Sequence, residues 1–191
     1  MWMALILVWG IVSEMRILFY STFFTLLASA LPAMAVTYME PATFIAGSFT
    51  EEPAAQVVWL GKEEQQVAKE ILGHPYQGLR VRYWTSGDKT AWILDEIGKE
   101  KPITTGIVVS DTGVERVTIL AFRESRGGEV RHPFFTAQFA GVSLDDNLRL
   151  NESIDGISGA TMSVSAVSNV TRLALYLHSK VRRSGQYAAS R

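Results

Sequence analysis

Residues 79–122 constrain the fold more than any other part of the chain, because four strand-like segments follow one another there. Leu79-Arg80-Val81-Arg82-Tyr83-Trp84 alternates in the two-residue period of a half-buried strand and ends at the turn Ser86-Gly87-Asp88. Thr90–Ile97 and Ile103–Ser110 come next, then the turn Asp111-Thr112-Gly113, then Val114–Phe122. Connections this short, built on Gly and Asp, favour an antiparallel meander.

The flanking segments supply helices. Glu40–Glu52 reads as extended and turn-rich, with Pro41, Gly47 and Pro53, and a short strand is expected at Gln56–Leu60. Lys62–Leu72 has Val67, Ile71 and Leu72 on one face and is stopped by Gly73 and Pro75, the pattern of an amphipathic helix. Arg123–Pro133 is polar, and Phe134–Phe139 is a short helical stretch ending near Gly141. The last element is a long helix from about Met162 to about Arg182. Its stripe is Val164, Val167, Val170, Ala174, Leu177 and Val181, spaced by three and four, with Leu173 beside it. Lys180, Arg182 and Arg183 would suit the negative pole of its end, and the tail from Ser184 is expected to fray. The expected class is α+β: an antiparallel sheet with helices packed on it.

The N-terminus has the form of an address. Residues 1–39 hold two charged side chains, Glu14 and Arg16. After Arg16 an apolar run, Ile17–Ala28, leads to Ala33-Met34-Ala35, a small-x-small site, with Pro32 ending the apolar helix ahead of it. Residues 1–35 are therefore expected to be a secretory signal cleaved before Val36, and residues 36–191 a single domain. Met15-Arg16 is itself a conventional start for such a signal, so residues 1–14 are expected to be an upstream extension from a misplaced start codon. The alternative is an uncleaved anchor over roughly residues 17–36, since about 20 apolar residues cross a bilayer. In either case the domain is expected outside the cytoplasm, in a periplasm or on the outer face of the cytoplasmic membrane.

Composition excludes several classes. The 191 residues carry 18 basic and 19 acidic side chains, a net charge of −1 with no long run of either sign, which is not the footprint of a nucleic-acid binder. Cysteine is absent, which rules out disulfides, thiolate metal sites and cysteine nucleophiles. His74, His132 and His178 have no metal-ligand spacing; the first two each precede a proline and are expected in loops.

The segment that carries chemistry is Asp155-Gly156-Ile157-Ser158-Gly159-Ala160-Thr161, directly ahead of the last helix. Gly159 permits unusual backbone angles and the close approach of a ligand. Thr161 stands at or near a helix start, where free backbone N–H groups and the helix dipole favour an anion such as phosphate. Its hydroxyl there is a cap, a phosphate contact or a point of covalent attachment. The run resembles the flavinylation motif Asp-x-x-Ser/Thr-Gly-Ala-Thr/Ser of the FMN-binding domain family, in which a flavin transferase splits FAD and joins FMN through its phosphate to the threonine hydroxyl. The family includes the flavin-carrying extracytoplasmic subunits of sodium-pumping NADH–quinone reductase and of the Rnf complexes. Every specified position matches, which chance would give roughly once in a thousand chains of this length. Glu124-Ser125-Arg126-Gly127-Gly128-Glu129-Val130-Arg131 and Gln138-Phe139-Ala140-Gly141 extend the likeness over Gly106 to about Leu177.

The resemblance implies covalent FMN on Thr161, taken from FAD by a flavin transferase, with Asp155, Ser158, Gly159 and Ala160 completing the motif. Glu124, Ser125 and Arg126 are further candidate flavin contacts, and Arg123, Glu129 and Arg131 candidate contacts of flavin or partner. It further implies a redox carrier whose partner lies in the membrane or outside the cytoplasm, rather than a stand-alone enzyme. The competing function is a cofactor-free binding module, membrane-anchored or not, and the competing role of Thr161 is a helix N-cap. Gly156–Ala160 also bears a faint likeness to a serine-hydrolase elbow. That reading fails: no acidic residue follows Ser158, and His178 lies well along the final helix. Trp59, Trp84 and Trp92 are read as core.

Overall fold

A computed structural model describes residues 36–189, with side chains as far as Ser184. The signal segment and the upstream extension fall on residues 1–35, outside the described residues, as does the anchor alternative apart from Val36. The elements are β1 (Val36–Thr37), α1 (Pro41–Ala46), β2 (Ala54–Trp59), α2 (Lys62–Leu72), β3 (Arg80–Ser86), β4 (Lys89–Ile97), β5 (Pro102–Ser110), β6 (Gly113–Phe122), α3 (Pro133–Thr136) and α4 (Thr161–Ala189). Short 3₁₀ turns at Gly128–Arg131 and Ala137–Phe139 flank α3.

The strands form one six-stranded sheet in the order β1-β6-β5-β4-β3-β2, every neighbouring pair antiparallel. The meander read from residues 79–122 is thus present, with β2 at one edge and β1 at the other. Gly87, at φ +60°, is the first residue of the two-residue turn between β3 and β4, where the hairpin geometry calls for a left-handed residue.

The helix α4 packs across β4, β5 and β6. Val167, Val170, Leu173, Ala174 and Leu177 are fully buried on it, and Val164 and Val181 lie at the margins of the same core. Each such Val or Leu side chain contributes about 1.5–3 kcal/mol of hydrophobic stabilisation. They meet Ile103, Ile107 and Val109 of β5. The other face of β5 carries Gly106 and Val108, and there α1 lies against the sheet through Phe44 and Ile45. Strand β5 is buried on both faces for this reason, which explains why every residue from Ile103 to Ser110 is buried.

Three readings of the sequence need correction. Residues 41–46 are a helix rather than extended: Pro41 occupies the first turn, where its missing N–H costs nothing, and Phe44 anchors the helix on the sheet. Trp59 is 67 % exposed at the outer edge of the sheet, whereas Trp92 is fully buried. The last helix continues to Ala189, since Gln186, Ala188 and Ala189 are good helix formers and no proline intervenes. Lys180 and Arg182 consequently lie inside the helix. They form ion pairs, Lys180 with Glu64 at 2.5 Å and Arg182 with Asp111 at 2.9 Å.

Candidate functional site

The motif folds as a tight turn opening onto α4. Ala160 N–H donates to the Ile157 carbonyl at 3.0 Å, with Ser158 and Gly159 as the central pair. Gly159 has φ +80°, the left-handed angle a type II turn requires at its third position. The first bond of the helix runs from Val164 N–H to the Ala160 carbonyl at 2.9 Å. Ala160 therefore holds the cap position and Thr161 is the first helical residue, so the N-cap role considered for Thr161 does not apply. The amides of Thr161, Met162 and Ser163 have no carbonyl within the helix to receive them. Thr161 is exposed, and among the described residues its hydroxyl has no hydrogen-bond partner.

Beside this helix start lies a cavity of about 560 Å³, lined by Lys99, Glu100, Glu124, Ser125, Arg126 and the run Gly159–Ser163. The end of β6, the β4–β5 connection and the start of α4 thus converge on one space. Thr161, Gly159 and Ala160 from the motif meet Glu124, Ser125 and Arg126 from the polar segment, as the sequence grouped them. Gly127 makes the approach possible: its φ is +85°, and a Cβ there would lie 2.6 Å from Ser163 Oγ. Arg123, Glu129 and Arg131 are not in the wall. Arg123 instead bonds the Pro102 carbonyl and the Thr104 hydroxyl on the sheet, at 3.2 and 2.8 Å.

Glu124 is the most constrained polar side chain in the wall. Its Oε1 accepts the backbone N–H groups of Lys99, Glu100 and Lys101 at 2.5, 2.6 and 2.9 Å. Burial works to raise its pKa; the amides of Lys101, Glu100 and Lys99 together with the Lys99 charge outweigh this and hold the carboxyl below its ordinary value. Lys99 and Glu100 were not singled out from the sequence, nor were Met162 and Ser163. Their proximity to the motif arises from tertiary apposition for the first two and from helix geometry for the others.

Two motif residues stand outside the cavity wall. Asp155 is exposed; its backbone N–H donates to Gln138 Oε1 at 2.7 Å, which ties the motif to the segment after α3. Ser158 is exposed at the outer corner of the turn. The three histidines remain apart: His74 Nε2 contacts Glu96 Oε1 at 2.8 Å, and His178 is buried between Thr90 and Asp111 at 2.8 and 3.3 Å.

No curated protein matches the chain. Residues 98–176 match the model of the FMN-binding domain. That interval opens at the β4–β5 connection and closes inside α4, so it contains every residue of the cavity wall. The chain thus carries an FMN-binding domain over residues 98–176.

Proposed function

We propose that the protein is an exported flavoprotein that carries FMN covalently on Thr161 and works as an electron carrier outside the cytoplasm. The observation that carries this reading is the Thr161 hydroxyl: exposed, without a hydrogen-bond partner among the described residues, and set in the wall of a cavity at a helix start. The residues present fit the cofactor. A cavity of about 560 Å³ is within the ordinary range for such ligands. The amides of Thr161, Met162 and Ser163 and the Arg126 guanidinium suit a phosphodiester, and Ser125 and Ser163 offer hydroxyls. Bound FMN supplies reversible electron uptake, and the chain binds, orients and tunes it.

Attachment is balanced as a transfer from FAD. Thr161 Oγ1 bonds the phosphorus on the riboflavin side, the pyrophosphate linkage breaks, AMP leaves, and the hydroxyl proton is released. A flavin transferase is the expected catalyst. Asp155, exposed and outside the cavity wall, is suited to recognition by that enzyme rather than to contact with bound flavin. Covalent attachment matters for an exported carrier, because a released flavin would diffuse away with no cytosolic pool to replace it. The electron partner is expected in the membrane or outside the cytoplasm.

The test is intact-mass measurement of protein coexpressed with a flavin transferase and FAD. The wild type should gain FMN less one water, mapped to the peptide holding Thr161, and its yellow colour should survive denaturation. Thr161→Val preserves shape and removes the nucleophile, so it should fold and remain unlabelled; Asp155→Ala should fold and label poorly. A labelled Thr161→Val protein refutes the attachment site, and a colourless wild type favours a cofactor-free binding module.

A further inference from the structure

We propose that Glu124 sets the reduction potential of this site, as a fixed negative charge and hydrogen-bond acceptor directed at FMN from the cavity wall. The inference rests on the reading that FMN occupies this cavity.

Three successive amides converging on one oxygen form an anion-binding concavity in the β4–β5 connection. Glu124 Oε1 fills it at 2.5–2.9 Å. The connection also closes on itself, with Gly98 N–H donating to the Lys101 carbonyl at 3.1 Å. Gly98 accommodates the clamp, since a Cβ there would lie 2.9 Å from Glu124 Oε1 and 3.2 Å from Ile103 Cδ1. One carboxylate oxygen is thus fully engaged. The second has no hydrogen-bond partner among the described residues, although Glu124 belongs to the cavity wall.

That second oxygen is an acceptor, and the phosphate end of FMN has no donor to give it. Two anions in contact would repel, and the phosphodiester belongs with the amides of α4 and Arg126. What FMN offers Glu124 is a donor: a ring N–H or a ribityl hydroxyl. The remaining charges in the wall do not cancel the carboxylate. Arg126 is taken up by the phosphodiester, and Lys99 Nζ stands 4.0 Å from Glu100 Oε1, the Lys99 and Glu100 side chains both being strongly exposed. Uptake of two electrons and one proton adds one negative charge to the flavin. A carboxylate in the same cavity, less screened than in bulk water, opposes that charge and lowers the potential.

The test compares redox titrations of flavinylated wild type, Glu124→Gln and Glu100→Gln, with intact mass recorded first. Glutamine keeps an oxygen for the three amides, so Glu124→Gln should fold, load FMN and titrate at a higher potential than wild type. Glu100→Gln removes an exposed charge from the same wall and should shift the potential far less. A simultaneous change in the visible flavin bands assigns the donor to the ring; a change of potential alone assigns it to the ribityl chain. Glu124→Gln that carries FMN and titrates with wild type, or no higher than Glu100→Gln, overturns the proposal. Wild type that gains no FMN mass overturns the proposed function itself, and is recognised before any titration begins.

Discussion

Gly106 lies in the middle of β5 with its α-carbon directly under the Phe44 ring, and replacing it by alanine tests how α1 is held. A Cβ at Gly106 would meet three ring atoms of Phe44 at 2.7–2.8 Å. The ring cannot simply retreat. Phe44 is only 1 % exposed, and the Arg116 guanidinium stands 5.1 Å from the ring centroid while donating to the Gly47 carbonyl at 3.1 Å. Overpacking of this kind costs about 1–3 kcal/mol, and the better strand preference of alanine returns about 0.5–1 kcal/mol. Gly106→Ala should therefore lose up to about 2.5 kcal/mol, a fall in Tm of up to about 10 °C for a domain of this size. Phe44→Ala alone should cost about 3–5 kcal/mol for the cavity it leaves. In the Phe44→Ala background the new methyl enters vacant space, so Gly106→Ala should become neutral or stabilising. The assay is a double-mutant cycle by urea denaturation, with a coupling of at least about 1 kcal/mol expected. If Gly106→Ala costs the same in both backgrounds, within about 0.5 kcal/mol, α1 is not seated on Gly106 and the packing described for Phe44 is wrong.

Gly127→Ala should strain a left-handed position and press on Ser163 Oγ, lowering stability by about 1–3 kcal/mol and reducing FMN loading; Ser163→Ala should restore part of both, read by melting and intact mass. His178 is 6 % exposed, and burial pulls its pKa below the ordinary value, against the partly opposing pull of Asp111. The folded state therefore disfavours protonation, and stability should be full above about pH 6.5 and fall as pH drops below it. His74 acts in the opposite sense: contact with Glu96 raises its pKa, so its contribution is present below about pH 6.5 and lost as pH rises. Urea midpoints between about pH 5 and 8 in a His74→Gln background should fall toward the acid side, and His178→Gln should flatten that slope. A slope unchanged by His178→Gln would exclude this histidine as its source.

The sequence made the local structure legible where one residue type had one physical job. Helix α2 begins and ends at Lys62 and Leu72 as expected, because Gly73 adopts φ +81° and closes it. The stripe on α4 and the alternation in β3 reflect burial on one face, which leaves a periodic trace. The motif was legible as a turn opening a helix, because Gly159 takes a left-handed angle directly ahead of α4. Helix α1 left no such trace: six residues with a proline at one end and a glycine after the other are too short for a period, and Phe44 gains meaning only when docked. Trp59 follows the same alternation as a core residue, yet β2 is the last strand on its side. The cavity wall was half visible, since Lys99 and Glu100 join it only because β4 and β5 end beside Glu124. The burial of His178 depends on Thr90 and Asp111, distant in the chain, and no spacing rule links them.

The β4–β5 connection is held by a residue outside itself. Lys99, Glu100 and Lys101 give only main-chain N–H groups to Glu124, and all three side chains are exposed. Substitution at these positions therefore leaves the shape of the loop intact, because its shape is encoded at position 124. Thr161, by contrast, sits on a helix whose buried stripe runs through the whole core. Divergence can thus rewrite the charge at the cavity mouth one exposed residue at a time while the position of Thr161 stays fixed. On the carrier function proposed above, descendants of such a domain exchange one electron partner for another without re-inventing how the cofactor is held.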